Sequence, residues 1–411
     1  MRASAALPHA ALERLQSRGD ELVIGGRTVR AICEQVGTPA YIYDAAAMTS
    51  RVAELRTQLP PDLHLHYAIK ANPLPAVVGH FAGLVDGFDV ASARELEIAL
   101  AAGMAADRIS FAGPGKRITE LLAAARAGIT IHVESEREIA ELARIGAELG
   151  CRPAVAIRVN PDFQLKTAGM KMSGGSTPFG IDAERVPDVL GTLRGTPLEF
   201  RGFHIFAGSQ NLSAAAIVEA QTLSIALAES LAAHAPAPVR HLNIGGGFGI
   251  PYFPGERHLD LEPIRASLAD LVERCRRSLP EAQLILELGR YLVGEAGYYV
   301  CRVLDRKISR GRVFLVTDGG LHHQLAASGN FGQVLRKNYP VVVGNRMGQQ
   351  ETEIASVVGP LCTPLDLLAD AMELPVARPG DLIVVLQSGA YGFSASPRGF
   401  LSHPEPAEIL V

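Results

Sequence analysis

Between about residues 63 and 290, short β-branched runs alternate with longer Ala/Leu-rich stretches of helical period. The runs LHLHYAI (63–69), GFDVA (87–91), RISFA (108–112), TIHVE (130–134), AVAIRVN (154–160), FRGFHIF (200–206), RHLNIG (240–245) and LILEL (284–288) predict eight strands. Between them, ARELEIALAAG, TELLAAARAG, EREIAELARIGAELG and the long segment after Ser213 predict helices, several closing on glycine as a helix C-terminus should. Eight βα units point to an α/β protein built on a (β/α)8 barrel rather than an open doubly wound sheet.

After Gly297 the pattern changes to YYVCRVLDRKI, RVFLVTDGG, ETEIASVVG and DLIVVLQSG, which are strands separated by Gly/Pro turns. A separate C-terminal β domain is the expectation. The opening segment ELVIGGRTVRAICEQVGTPAYIYD also carries strand-like pieces and could rejoin that domain. The expected division is therefore 1–44 with the β domain, 45–297 as barrel, and 298–411 as β domain.

Composition narrows the class. With 48% hydrophobic residues, 20% charged residues and a net charge of -4, the chain reads as soluble and globular, without the basic surplus that nucleic acid would require. No run of about 18 apolar residues is present, so no membrane span is expected. The first 25 residues lack a basic start followed by an apolar core. Cys33, Cys151, Cys275, Cys301 and Cys362 stand singly, which disfavours a zinc site or a disulfide framework and suits a cytoplasmic protein.

Barrel enzymes place their chemistry at the C-terminal ends of the strands. Those ends carry Lys70, Asp89, Glu134, Arg158, Phe206 followed by Ala-Gly-Ser, the run Gly245-Gly246-Gly247, and Glu287 followed by Leu-Gly-Arg. Three of them have plain alternatives: an exposed lysine for Lys70, a tight turn for the glycines, and a structural Glu287–Arg290 ion pair. Together they describe a lysine for an aldehyde, a carboxylate for a ring nitrogen and a glycine nest for one phosphate, which is what pyridoxal phosphate needs. The spacing of a nucleotide P-loop and of a dinucleotide fingerprint are both missing.

The chain resembles the fold-type III pyridoxal-phosphate decarboxylases, the group containing diaminopimelate, ornithine and arginine decarboxylases, from GTPAYIYD (37–44) to GAYG (389–392). The resemblance implies a barrel plus a β domain and a homodimer with shared active sites. It assigns the Schiff base to Lys70 in YAIKAN, with Asp89 beside it, and Arg158 to the cofactor's phenolic oxygen. Ser209, Gly245 to Gly247 and Arg290 in LELGR, next to Gly289, would hold the phosphate. Glu287 would pair with the pyridine nitrogen, and Tyr391 would close over the cofactor. In GPLCTPLD (359–366), the segment that reaches the partner's site, Cys362 would return the proton, with Thr363 and Asp366 on the substrate side.

Two departures separate the chain from diamine-using members. GFHIFAGSQ puts Phe206 where the family has a stacking histidine, leaving His204, two residues earlier on the same face, to contribute polar function. Thr363 replaces an acidic residue, and a neutral hydroxyl does not compensate the desolvation of a distal ammonium. DGGLHHQLAASGNFG (318–332) offers His322 and His323 to the substrate instead of an Arg and a Tyr. Read as a strand, that pair points to opposite faces and makes no metal site. Within the family, GLHHQLAAS, RKNYPVVVGN, GMKMSGGSTPFG and SGAYGFSASPRGFLSHPEPAEIL resemble the branch of L-glutamyl-[acyl-carrier protein] decarboxylase and the exosortase A-associated decarboxylases of exopolysaccharide loci. This implies an amino acid, glutamyl-like, tethered to a carrier protein. The alternatives are a diaminopimelate- or ornithine-type decarboxylase on a free amino acid, and an amino-acid racemase on the same fold. A small cofactor-carrying barrel protein would lack the β domain.

Overall fold

A computed structural model describes residues 9–163, 170–171, 174–331, 333 and 336–411. Gly169, Met172 and Ser173 of the GMKMSGGSTPFG motif and Gly332 of the histidine-pair segment lie outside these residues.

All eight predicted strands form. They are β1 (His64–Ala68), β2 (Gly87–Val90), β3 (Ile109–Phe111), β4 (Thr130–Val133), β5 (Ala154–Asn160), β6 (Glu199–Ile205), β7 (His241–Gly246) and β8 (Gln283–Leu288). Each pairs in parallel with the next, and β8 pairs with β1, so the sheet closes on itself. Nearly every residue of these strands is buried, as expected for strands covered on both faces.

The barrel helices begin and end where side-chain chemistry dictates. Ser92, Ser135 and Ser213 each accept a backbone N–H from the first turn of the helix they open, at Ala93–Ala101, Glu136–Leu149 and Ala214–Ala232. Gly128 ends Ile118–Ala127 and Gly150 ends Glu136–Leu149, both in the left-handed conformation that an L side chain adopts only with strain. Ala214–Ala232 is long and apolar enough by composition to cross a membrane. Here it turns Ile217, Ile225, Ala228 and Leu231 inward and packs against Glu262–Ser278 and β7.

The contacts separate the chain into two units. One holds residues 51–249 and 259–289; the other gathers 1–50, 250–258 and 290–411. The second unit thus takes in 45–50, 250–258 and 290–297, which the expected division had placed with the barrel. Its backbone is the long strand Gly297–Ser309, which pairs with Arg312–Thr317, Leu382–Val385 and Ala40–Tyr43. Ala40–Tyr43 also pairs in parallel with Ala407–Leu410, so both ends of the chain enter one sheet. Leu22, Ile24, Val29, Ile32, Ile42, Val300 and Val384 form its core.

Candidate active site

At the C-terminal rim of the barrel, Lys70 follows β1 in a single tight turn, Ile69–Ala71, rather than in the strand itself. Gly289, just after β8, allows this turn to pass: a Cβ there would lie 3.0 Å from that of Ala71. The Lys70 Nζ is 3.0 Å from Glu287 Oε1 and 5.7 Å from the centre of the Phe206 ring. Glu287 is buried. Desolvation pushes its carboxyl up, yet the Lys70 ammonium and His204, whose Nε2 is 3.4 Å from Oε2, outweigh it and hold the group well below the usual carboxylate range. A buried carboxylate that stays charged is a fixed partner for a cation brought to this rim.

Asp89 sits deeper than expected for a neighbour of Lys70. Its Oδ1 accepts from Ser110 Oγ and, at 3.5 Å, from Asn243 Nδ2, while Oδ2 is 3.2 Å from His66 Nδ1. His204 is likewise part of a buried row: its ring lies 4.4 Å from that of His132, whose Nε2 is 3.0 Å from His241 Nε2. Burial drives His132 well below the normal imidazole value and His241 down to about 3, so both are neutral at ordinary pH. His66, His132 and His241 had no place in the rim reading. A barrel core dominated by branched apolar side chains would not contain them, and histidines at inward strand positions were the signal.

The glycine run after β7 is a cradle that side chains would fill. Gly245 and Gly247 have φ of +68° and +73°. A Cβ would meet Phe206 Cδ2 at 2.7 Å from Gly245, Glu287 O at 2.2 Å from Gly246 and Gly208 O at 2.2 Å from Gly247. Ser209 belongs to the short pair Gly208–Ser209, which ladders with Met170–Lys171. The Phe206 ring, half-buried beside the cradle, offers a flat apolar face. Arg158 is bound through Nη1 to Glu134 Oε1 at 2.9 Å and lies over the Phe179 ring at 5.1 Å. Behind this pair, the buried Lys116 and Glu138 meet at 3.0 Å. Glu134 stood among the rim residues without a role, and Lys116 was not singled out.

In the other unit, Arg290 Nη1 donates to Tyr252 Oη at 2.8 Å, and its guanidinium lies 4.7 Å from the centre of the Tyr391 ring. Its Nε is buried with no hydrogen-bond partner among the described residues, which leaves one donor for an anion. Cys362 is exposed. Thr363 Oγ1 accepts from Leu365 N at 3.3 Å, stiffening the turn that follows the cysteine.

Two expectations need correction. Asp366 does not present its carboxylate to a substrate: it is buried, and its oxygens accept from Leu321 N at 2.6 Å and Leu361 N at 2.8 Å, tying two loops together. His322 and His323 do not sit on a strand with opposed side chains, because Gly319 and Gly320 turn the chain there and the two rings come to 3.7 Å. Neither is exposed within the chain. His323 is held by Tyr299 Oη at 3.2 Å and Pro404 O at 3.1 Å.

A cavity of about 630 Å³ opens at the opposite mouth of the barrel. Two of its arginines, Arg201 and Arg240, are already engaged by Glu199 and Glu281. Barrel chemistry belongs to the other rim, where the cradle, the charged Glu287 and the Lys70 amine answer the phosphate, ring nitrogen and aldehyde of pyridoxal phosphate. Fold and rim thus define a barrel-type pyridoxal-phosphate enzyme.

Comparison with known proteins narrows this further. The family described as "Pyridoxal-dependent decarboxylase, pyridoxal binding domain" matches residues 45–294. L-glutamyl-[BtrI acyl-carrier protein] decarboxylase of Niallia circulans is 38% identical, over 93% of this chain and 90% of its own length. Diaminopimelate decarboxylase of Aquifex aeolicus is 33% identical, over 97% and 92%. Among solved structures, diaminopimelate decarboxylase from Helicobacter pylori complexed with L-lysine superposes with a TM-score of 0.83 at 27% identity, covering 93% of each chain. The chain belongs to the pyridoxal-dependent decarboxylases. It is a pyridoxal-phosphate-dependent carboxy-lyase.

Proposed function

We propose that the chain decarboxylates a carrier-tethered, glutamyl-like L-amino acid rather than a free diamino acid. The observation that carries this reading is the residue after Cys362. Thr363 is uncharged and already spends its hydroxyl on the following turn, so the position lacks the fixed anion that a distal ammonium requires. The similarity to the Niallia circulans enzyme, whose name states a carrier-bound glutamyl substrate, supports it.

Pyridoxal phosphate, when bound, supplies an electron sink for the carbanion left by departing carbon dioxide. The chain's residues supply the rest. Lys70 would supply the amine that holds the cofactor through its aldehyde. Glu287, kept ionised at the buried end of β8, holds a proton on the ring nitrogen. Phe206 presents a stacking face, and the amides of Gly245 to Gly247 with Ser209 take the phosphate. Arg290 and Tyr391 keep the phosphate-binding and covering roles that the family resemblance gives them. Cys362 returns a proton to the α-carbon. A homodimer with shared sites, a place in exopolysaccharide synthesis and a cytoplasmic location complete the proposal.

The test is a carbon dioxide release assay comparing free glutamate, ornithine, lysine and diaminopimelate with a glutamyl thioester on an acyl-carrier protein. Release from the thioester well above all four free amino acids is expected. Faster release from diaminopimelate or ornithine would overturn the substrate assignment, and loss of optical activity without carbon dioxide would favour a racemase.

A further inference from the structure

Glu134 follows β4 at the same rim and gathers donors from three different segments. Its Oε1 accepts from Gly113 N at 2.6 Å and from Arg158 Nη1 at 2.9 Å, and its Oε2 accepts from Gly180 N at 3.1 Å. The carboxylate is thus saturated by the loop after β3, the end of β5 and the loop after β5. Both amide donors are glycines at positive φ, +152° for Gly113 and +76° for Gly180, and a Cβ on Gly180 would come 2.9 Å from Arg158 O. The backbone is shaped to bring the two loops onto this one side chain.

The electrostatics give the carboxylate a second task. Arg158 is buried, and its guanidinium has the apolar Phe179 ring on one side. Its ion-pair partner among the described residues is Glu134. The other ionisable groups around the pair are Lys116, Glu138 and His132. The first two neutralise each other at 3.0 Å, and burial keeps His132 uncharged. Glu138 also fixes Glu134 from behind, accepting from Glu134 N at 2.9 Å. A neutral amide would serve for gathering loops, but only a carboxylate balances the Arg158 charge.

We propose that Glu134 is a positioning residue that orients Arg158 and sets the positive potential Arg158 exerts on the cofactor. This rests on the assignment of Arg158 to the cofactor's phenolic side made above. Glu134→Gln keeps the size and one oxygen acceptor while removing the charge. With Arg158 unbalanced, the protonated, more positive form of the bound chromophore becomes less favourable.

The experiment is a pH titration of the visible absorbance of the cofactor-loaded enzyme, read beside its melting temperature. The midpoint should fall by about half a pH unit or more in Glu134→Gln, a roughly threefold loss of proton affinity, less than the roughly 1–3 units of a charge in direct contact because the effect acts through Arg158. Glu134→Asp retains the charge but draws it back, and its midpoint should fall by less. It also carries the test if the first variant does not fold. A folded, loaded variant with the wild-type midpoint, or with a lowered melting temperature alone, would overturn the inference by reducing Glu134 to a structural clamp. Wild-type enzyme that develops no chromophore with pyridoxal phosphate would instead count against the cofactor assignment itself.

Discussion

Replacing Lys116 by Met should destabilise the barrel unit by about 3–5 kcal/mol, the range for removing one partner of a buried ion pair. The ammonium donates to Gly113 O at 2.6 Å and His132 O at 2.9 Å and meets Glu138 Oε2 at 3.0 Å, with both charged side chains 1% exposed. Met fills the volume and supplies none of these contacts. Glu138 is left with Glu134 N on Oε2, while its Oε1 has no partner among the described residues. Burial already lowers the Lys116 pKa and raises that of Glu138. Without Lys116, the Glu138 carboxyl rises further. A carboxyl whose pKa is higher folded than unfolded favours the folded state fully below its unfolded value and loses that advantage as pH rises through the folded one. The deficit should therefore be larger at pH 8 than at pH 5. Urea denaturation at both pH values measures it, as a shift in midpoint at constant slope. The double variant Lys116→Met/Glu138→Leu should recover at least about half of the loss, because removing both charges ends the uncompensated burial. A deficit under about 1 kcal/mol at pH 8, or one independent of pH, would refute the reasoning.

Other predictions concern the rim and the core. Gly247→Ala must place a Cβ 2.2 Å from Gly208 O at a φ of +73°, so cofactor affinity, followed by absorbance titration, should fall at least about tenfold, while the far-ultraviolet dichroism is retained. His241 is neutral in the fold with a pKa of about 3 against 6.5 when free, so its contribution is complete above pH 6.5 and lost as pH falls towards 3. His241→Gln should accordingly flatten the decline of stability with acid over that window, and an unchanged slope would contradict the assignment. Cys362→Ala should load cofactor normally and release carbon dioxide more slowly, or deliver the proton to the wrong face, as turnover in deuterium oxide and the configuration of the deuterated product carbon would show.

What was legible in the chain depended on whether a feature was local. The eight strands could be read because fully buried parallel strands are continuous β-branched runs, as in AVAIRVN, and the helices because Ala/Leu-rich stretches of helical period close on glycine, as at Gly128 and Gly150. Lys70 and the glycine run stood out because an amine and three glycines break an apolar pattern. Asp366 misled, since a carboxylate beside Cys362 looks the same in sequence whether it faces a substrate or caps two backbone amides from separate loops. The His322–His323 error has a comparable cause: the alternation rule holds only for extended backbone, and Gly319-Gly320 ends it. The contacts of Lys116 with His132, Glu134 with Arg158 and His132 with His241 span 16, 24 and 109 residues. Periodicity does not reach across such separations.

The central claim is that Lys70, paired with Glu287 at the rim, is the residue that carries the cofactor. The chain has six lysines, Lys70, Lys116, Lys166, Lys171, Lys307 and Lys337, so the attachment point can be assigned without ambiguity. Borohydride reduction of the pyridoxal-phosphate-loaded enzyme followed by peptide mapping should place the added mass on Lys70, and Lys70→Ala should take up none. Label on another lysine, or equal labelling in Lys70→Ala, would contradict the account.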